Sequence, residues 1–197
     1  MVKKSMKNIF LSASIPLIER DPKYYDTADV VAIRDSVRAL ASIVLPKCRL
    51  IWGGHPAIAP LIKYVLDRSQ ISVNEHMTTY LSLFFKKDFL SDMPFFGTIK
   101  YIPMMSDRDK SLEKMRRAMI GSNNFAAGIF IGGMEGVEDE FEMFRAIHGN
   151  QTKVFPIAST GAAAKILFDK QSETFDRRLL TDYAYNDLFS TILDDLI

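Results

Sequence analysis

Acidic residues crowd the stretch FIGGMEGVEDEFEMF at residues 130–144, directly after a glycine pair. Glycine lets a ligand approach the backbone closely, and carboxylates can accept from sugar hydroxyls or stabilise an oxocarbenium-like transition state. The helix macrodipole also favours acids in a first turn without any ligand. Because carboxylates repel phosphate, we expect this stretch to face the ribose or glycosidic part of a nucleotide-like ligand. The predicted contact residues are Gly132, Gly133, Glu135, Gly136 and Glu140.

Three other turns of small residues follow strand-like segments. Their glycines and hydroxyls, with the free N–H groups of a following helix, are suited to bind an anion. We therefore expect the ligand's phosphates at these neutral or basic turns. Taken singly, such a turn is more often a helix cap or a tight turn, and His55 could cap its helix instead of touching a phosphate or a base. The predicted contact residues are Ser12, Ser14, Gly53, Gly54, His55, Ser159, Thr160 and Gly161.

Arg116 shares the inward, apolar face of the helix predicted for residues 106–121. A buried guanidinium requires an anionic partner. One alternative is a fixed ion pair with an acid such as Glu140. The other is a functional role, as a clamp on ligand phosphate or as half of a catalytic Arg–Glu pair. Arg108 lies within a quadrant of Arg116 on the same helix and is predicted to contact the ligand too.

The elements that must position these residues alternate between strand and helix. Short runs rich in Ile, Val and Phe separate longer segments of helical period. Strands are predicted at 8–13, 49–54, 78–85, 98–103, 126–133 and 152–157. Helices are predicted at 29–45, 56–68, 106–121, 137–149, 159–170 and 180–196. Residues 71–105 give the weakest pattern, with a loop at 89–97 between two of the strands.

This alternation predicts an α/β, Rossmann-like, doubly wound fold, in which helices cover both faces of a mostly parallel sheet. In such sheets ligands bind beyond the carboxyl ends of the strands. We therefore expect all four small-residue turns to meet along one rim. Neither G-x-G-x-x-G nor GxxxxGK[ST] is present, so the ordinary dinucleotide and P-loop interpretations are weak.

The composition and charge of the chain argue against several classes of protein and several kinds of site. The 197 residues suit one domain, predicted over 1–197, which at this length buries roughly 70% of the unfolded chain's surface. Lys+Arg 25 against Asp+Glu 24 gives a net charge of +1, so no overall field favours nucleic acid. A single cysteine, Cys48, excludes an intramolecular disulfide. The three histidines lack metal-ligand spacing, and we predict neither a metal site nor a cofactor.

The N-terminal stretch MVKKSMKNIFLSASIPLI places basic residues before an apolar run, as a signal peptide does. The run is short and is interrupted by Ser12 and Ser14, so a first strand is the favoured interpretation. No stretch is long enough to cross a bilayer. We expect a cytoplasmic protein without a membrane partner.

The ordered set of motifs resembles the SLOG superfamily. This superfamily includes the LOG-type cytokinin riboside monophosphate phosphoribohydrolases, often mislabelled lysine decarboxylases, and ligand-sensing domains of bacterial defence proteins. SAS after the first strand looks like the family's GSS, WGGH looks like YGGG, and IGGMEGVEDE looks like PGGxGTxxE. Arg116 stands sixteen residues before Gly132, similar to the spacing of the family's catalytic arginine. The resemblance covers nearly the whole chain.

The chain departs from the LOG pattern at several positions. One residue is inserted between the second and third glycines of the PGGxGT-like motif, and Val137 and Ile131 replace its threonine and proline. His55 replaces the third glycine of the YGGG-like motif. The chain is closer to the standalone SLOG clusters that accompany nucleotide-signal systems in bacteria.

The resemblance implies a nucleotide or nucleotide-sugar ligand, such as a nucleoside phosphate or an ADP-ribose-like molecule, bound by a sensor or processing protein. The alternative it implies is a phosphoribohydrolase that cleaves the base–ribose bond of a nucleoside monophosphate. Glu140 and Arg116 would then be the catalytic pair. A site without function in a protein that mainly assembles is a third possibility. The resemblance further implies a homodimer, and a sensor would need a separate effector protein.

Overall fold

The computed structural model describes residues 6–88 and 97–197, and its centre is a six-stranded sheet. The inner strands form on short, largely buried segments, as expected for strands covered on both faces, whereas the edge strand Thr98–Ile102 is mostly exposed. Each described strand pair is parallel. The strands are β1 (Asn8–Ser14), β2 (Arg49–Trp52), β3 (Met77–Ser82), β4 (Thr98–Ile102), β5 (Ala127–Gly132) and β6 (Lys153–Ile157).

The strand order is β4-β3-β2-β1-β5-β6. The chain therefore builds outward from β1 to β4, then returns to place β5 against the other side of β1. Ser14 pairs in register with Gly132 at the ends of these two central strands. The point where the strand order reverses is where an open α/β sheet provides a crevice for ligands. The topology thus directs attention to the carboxyl ends of β1 and β5.

Helices cover both faces of the sheet, which confirms the predicted doubly wound, Rossmann-like α/β fold. One face packs against α2, α3 and α9, and the other against α5, α6 and α7. Each helix buries an apolar stripe against Ile, Leu or Phe side chains from alternate strand positions. The helices are α1 (Pro22–Tyr25), α2 (Val30–Val44), α3 (Ala59–Leu66), α4 (Val73–His76), α5 (Arg108–Gly121), α6 (Glu135–His148), α7 (Ala162–Lys170), α8 (Arg178–Thr181) and α9 (Tyr185–Leu193).

Helix ends follow the chemistry of their capping residues. Asp29 and Asp107 accept from backbone N–H groups at the starts of α2 and α5, at 2.8 and 2.9 Å. The start of α6, by contrast, has no side-chain cap within the described residues. Its C-terminal end is Gly149, with φ 66°, a backbone conformation that glycine adopts without strain.

Two predictions about the chain's organisation need comment. The final helix predicted over about 180–196 begins later than expected, at Tyr185, and a 3₁₀ turn continues it over Asp194–Leu196. The short α8 precedes it, and the Asp182 carboxylate between the two helices accepts from the Ala184 N–H at 2.8 Å. Of the loop predicted at 89–97, all but Gly97 lies outside the described residues. None of the described helices is both long and apolar enough to cross a membrane.

Candidate functional site

Arg116 and Glu140 form an ion pair between α5 and α6, at the side of the sheet that both helices cover. Arg116 Nε donates to Glu140 Oε1 at 3.2 Å, and Arg116 Nη1 donates to Asp139 Oδ2 at 3.0 Å. The Arg116 and Glu140 side chains are only 15% and 14% exposed. The helical spacing that placed Arg116 inward is therefore correct, and its partner is the acid that the sequence suggested.

Ser12 lies beneath this pair on β1. Its side chain points to the same face of the sheet as Phe10, since alternate residues of a strand share a face. The Ser12 hydroxyl helps to lower the pKa of Glu140, which places it against that carboxyl. Yet Ser12 is 2% exposed, and its Oγ makes no hydrogen bond of normal geometry among the described residues. A buried hydroxyl without such a bond is costly in a native structure and calls for an explanation.

Gly136 gives the Arg116 guanidinium its space. A Cβ at residue 136 would lie 2.6 Å from Arg116 Nη2, closer than any real contact. Gly136 and Glu140 are four residues apart and share one flank of α6. The third glycine of the motif is thus explained by the close approach of an arginine to the helix.

Burial raises the pKa of Glu140 above its ordinary value, although Arg116 and Ser12 oppose the shift and Asp139 adds to it. Desolvation disfavours the charged form of a carboxyl group. A carboxyl tuned in this way, beside a guanidinium and a hydroxyl, can accept from a sugar hydroxyl, stabilise a developing positive charge or transfer a proton. The first two need the ionised carboxylate, which the Arg116 guanidinium supports.

Glu138 lies on the opposite flank of α6 and is fully engaged by the protein. Its carboxylate accepts from Tyr24 Oη at 2.6 Å and from Lys170 Nζ at 2.8 Å, and Lys23 Nζ lies 3.9 Å away. Burial opposes ionisation, but the Lys170 and Tyr24 hydrogen bonds outweigh it, so the pKa of Glu138 is lowered. Tyr24 is buried in the core beside this carboxylate and does not offer a surface for base stacking.

The glycine pair that ends β5 makes a tight turn between the sheet and α6. Gly132 and Gly133 have φ of 54° and 86°, values that favour glycine. A Cβ at Gly132 would meet Ile33, and one at Gly133 would meet Val137, at less than 3 Å. Gly133 N–H donates to the Ser14 carbonyl at 2.9 Å and joins this turn to the end of β1. These glycines therefore shape the turn between β5 and α6.

The turn after β6 is closed by the protein's own contacts. Thr160 Oγ1 accepts from the Gly132 N–H at 2.9 Å and donates to the Ile157 carbonyl at 2.5 Å. The Ser159 hydroxyl is 3.0 Å from the Tyr185 hydroxyl. A Cβ at Gly161 would lie 1.8 Å from the Thr27 carbonyl oxygen, because the segment before α2 crosses over this turn. The structure does not bring these three residues into contact with the Arg116–Glu140 pair.

The turn after β2 lies nearer to the pair. The Gly53 backbone faces α5, where a Cβ would lie 3.5 Å from the Met115 methyl group, next to Arg116 in sequence. Gly54 has φ 66°, and its α-carbon faces Thr79 and Leu81. His55 Nδ1 accepts from the Ala57 N–H at 3.2 Å, so the imidazole caps the turn, as the second of the two interpretations held. Burial lowers the pKa of His55, which keeps the ring neutral at pH 7.

Of the remaining predicted site residues, Arg108 and Glu135 lie on the surface and Ser14 is buried. Arg108 is at the exposed start of α5, two turns from Arg116, and pairs with Asp109 at 3.1 Å. Glu135 is the first residue of α6 and pairs with Arg20 from the segment after β1. Ser14 ends β1 and is buried beside the glycine turn. The sequence does not indicate Arg20 or Asp139 as site residues, because a loop residue such as Arg20 has no helical period to reveal its direction and Asp139 fits an ordinary helix start.

The chain can now be compared with known proteins. The model of the SLOG cluster3 family matches residues 23–193. Among solved structures, the X-ray structure of TM1055, a target of the Northeast Structural Genomics Consortium, superposes with a TM-score of 0.52 at 15% sequence identity. The match covers 88% of this chain and 89% of that chain, and it shows a shared fold. No curated protein matches the chain.

Proposed function

The chain belongs to the SLOG cluster3 family, and on this premise we propose that it binds a nucleotide or nucleotide-sugar ligand in the crevice between the ends of β1 and β5. The family supports a nucleotide-related function in general terms. The observation that carries the proposal is the buried Ser12 hydroxyl against the Arg116–Glu140 pair at the reversal of strand order. Such a group of polar atoms is suited to fix the orientation of a small molecule.

The roles follow from chemistry. Glu140 accepts from a ribose hydroxyl, and the Ser12 hydroxyl gains a ligand partner. Arg116 stays tied to Asp139 and Glu140 and holds the carboxylate in place. The phosphate belongs near Ser14 and the start of α6, which no side chain caps within the described residues. The Val137 N–H there already donates to the Met134 carbonyl at 2.9 Å, so the N–H groups of Glu135 and Gly136 are the ones offered to an anion. The turn at 159–161 is less suited, since its hydroxyls are already bonded.

The position of the acids no longer argues against a phosphate there. Each acid in the first two turns of α6 has a basic neighbour: Arg20 for Glu135, Lys170 and Lys23 for Glu138, and Arg116 for Asp139 and Glu140. Four acids face four bases, so the local field is close to neutral. A ligand that carries both a sugar and a phosphate fits this mixture of charges.

A second candidate, hydrolysis of an N-glycosidic bond, is supported by the position of Glu140, a largely buried carboxylate that the Arg116 guanidinium holds at 3.2 Å. Water would attack C1′ of the ribose, the bond to the base would break, and the base would leave with a proton. The ionised Glu140 would stabilise the positive charge that develops on the sugar and accept the proton of the attacking water. This proton would then pass to the departing base, which restores the Glu140 carboxylate. Arg116 would keep the carboxylate oriented.

Binding and hydrolysis are separated by one set of measurements. The protein is incubated with nucleoside monophosphates, the matching nucleosides and ADP-ribose, and melting temperature and released base are recorded. A nucleotide-dependent rise in melting temperature without free base supports the sensor. Free base that is lost in Glu140→Gln, while binding is retained, supports the hydrolase. If no nucleotide changes the melting temperature and no base appears, both proposals fail and a role in assembly gains weight.

We further propose that the protein acts in the cytoplasm as a homodimer, and that a sensor would signal through a separate effector protein. The expected result of light scattering on the purified chain is twice the monomer mass of 22.4 kDa. A mass of one chain at micromolar concentration would contradict the dimer.

A further inference from the structure

Arg20 is a basic residue whose partner lies at the start of α6, and no step of the proposed function uses it. We propose that Arg20 is an exchangeable phosphate anchor, which releases Glu135 and binds the phosphate of the ligand. This inference rests on the proposed function and deepens it, because it names the residue that distinguishes a phosphorylated ligand from its nucleoside.

Arg20 lies at the crevice because of the strand pairing. It follows β1 by six residues, and its guanidinium reaches the Glu135 carboxylate at the first residue of α6. The end of β1 and the start of α6 are joined by the hydrogen bond from Gly133 N–H to the Ser14 carbonyl, at 2.9 Å. The guanidinium is therefore held beside the first turn of α6.

The start of α6 can accept an anion. No side chain caps it within the described residues, and the N-terminus of a 14-residue helix carries a partial positive charge. An independent observation points to a ligand at the same end of β1: the Ser12 hydroxyl, 2% exposed, has no hydrogen bond of normal geometry there. Backbone N–H groups and one guanidinium together form a common phosphate-binding arrangement.

The pair between Arg20 and Glu135 is of the kind that exchanges. The two side chains are 41% and 49% exposed, and ion pairs this exposed are weak and screened by salt. A phosphate carries up to two negative charges and accepts two parallel hydrogen bonds from a guanidinium, so it competes well with a single carboxylate. Arg116 is different, since its two acids hold it in a largely buried position.

If the phosphate replaces Glu135 as the partner of Arg20, substitutions of Arg20 and of Glu135 should change the affinity for the ligand in opposite directions. Glu135 competes with the ligand for Arg20 and repels the phosphate, so its removal should strengthen binding. Removal of Arg20 should weaken it. A pair that served only to fix the segment after β1 would give the same sign for both substitutions, since either one breaks the contact.

Calorimetric titration with a nucleoside monophosphate and with the matching nucleoside tests this. We expect Arg20→Gln to weaken binding of the monophosphate about tenfold and Glu135→Gln to strengthen it about threefold. Neither should change nucleoside binding. Arg117→Gln is the matched control: it removes another exposed arginine, paired with Glu113 on α5, and should leave both titrations unchanged. Arg20→Lys, which keeps the charge without the planar fork, should fall between wild type and Arg20→Gln.

The outcomes are distinct. Equal weakening by Arg20→Gln and Glu135→Gln, or no effect of Arg20→Gln and Arg20→Lys on the monophosphate, overturns the inference and leaves the proposed function intact. Failure of the wild-type protein to bind any nucleotide overturns the proposed function itself. Circular dichroism melting of each variant verifies that a lost titration does not reflect unfolding.

Discussion

Glu138 and Glu140 lie two residues apart on α6 and face opposite flanks of the same helix. Glu138 accepts from Tyr24 and Lys170, and the pKa of its carboxyl is lowered. The Glu140 carboxylate accepts from the Arg116 guanidinium and lies against the Ser12 hydroxyl, which makes no hydrogen bond of normal geometry among the described residues. Burial raises the pKa of the Glu140 carboxyl. Both side chains are less than one-fifth exposed, so burial alone does not distinguish them.

The different environments of Glu138 and Glu140 distinguish an acid whose hydrogen bonds the protein itself provides from an acid that is proposed to bind a ligand. Glu138 has its hydrogen-bonding needs met by the protein, whereas the surroundings of Glu140 leave a buried hydroxyl without a proper partner. Buried polar groups are nearly always satisfied when their role is to hold the fold. The same contrast separates the Thr160 turn, whose hydroxyl both donates and accepts, from Ser12.

The largest expected difference between Glu138 and Glu140 is in the rate of base release. If the protein cleaves a nucleotide, Glu140→Gln should slow base release by about 100-fold or more, since removal of a proton-transferring group typically has an effect of this size. Glu138→Gln, on the same helix, should stay within about twofold of wild type in chromatographic assays of base release. Equal loss in the two variants would show that the fold of α6, and not the Glu140 carboxylate, limits the reaction.

The free energy of unfolding should fall more in Glu138→Gln than in Glu140→Gln, which is the reverse of the order expected for activity. Glu138→Gln removes a charge that accepts from Tyr24 and Lys170, and we expect it to lower the free energy of unfolding by about 1–3 kcal/mol. Glu140→Gln should cost less, because Gln keeps an acceptor for Arg116 and does not require a buried charge. Urea unfolding at pH 7 measures both values. A larger loss for Glu140→Gln would reverse the assignment of the structural acid.

A substitution at Gly136 tests the flank of α6 that carries Glu140, and it does so without removing a charge. In Gly136→Ala the new Cβ must displace the Arg116 guanidinium, and we expect about tenfold weaker nucleotide binding, a misplacement effect of the kind seen when positioning residues shift. Stability should hold or rise, because Ala is the better helix former by about 1 kcal/mol. The control is Gly121→Ala on α5, where a Cβ has only an ordinary contact with Ile147 at 3.8 Å. Its binding should match wild type.

The smallest expected effect is the pH dependence of stability, below about 1 kcal/mol. The lowered pKa of Glu138 contributes stability above its unfolded value of about 4.5, and this is lost as the pH falls through the folded pKa. The raised pKa of Glu140 acts in the opposite direction: stability is lost as the pH rises from about 4.5 through the folded pKa. Unfolding of each Gln variant and of wild type is measured between about pH 2 and 8. The difference curve for Glu138 should change below about pH 4.5, and the curve for Glu140 should change above about pH 4.5 with the opposite slope. Parallel curves would contradict the two assignments.

Several features of the site could be predicted from single residues. Arg116 was predicted to face inward because helical spacing fixes the direction of a side chain relative to its neighbours. Glu140 was suggested as its partner from the order of motifs. Ser12, Gly53 and Gly136 also lie where strand ends and helix starts place them. These predictions depend only on residues close in sequence, because the regular period of a helix or strand fixes the direction of each side chain.

The predictions about separate turns were less secure. Ser159, Thr160 and Gly161 look like a ligand-binding turn in the sequence, but the segment at 27–29 covers them. His55 has a backbone partner two residues away. Which hydroxyl is already bonded depends on residues distant in the chain, such as Tyr185 for Ser159, and no local pattern records such a pairing.

By itself, the sequence determined the alternation of strands and helices, the parallel sheet and the edge where its small-residue turns must meet, because hydrophobic period and glycine placement are local properties. Only the tertiary structure decided which of those polar groups the protein satisfies. It paired Glu138 with Tyr24 and Lys170, and Glu135 with Arg20, while Ser12 makes no hydrogen bond of normal geometry among the described residues. Hydrogen bonds between residues 32 to 115 positions apart depend on chain packing, and that packing separates the two flanks of α6.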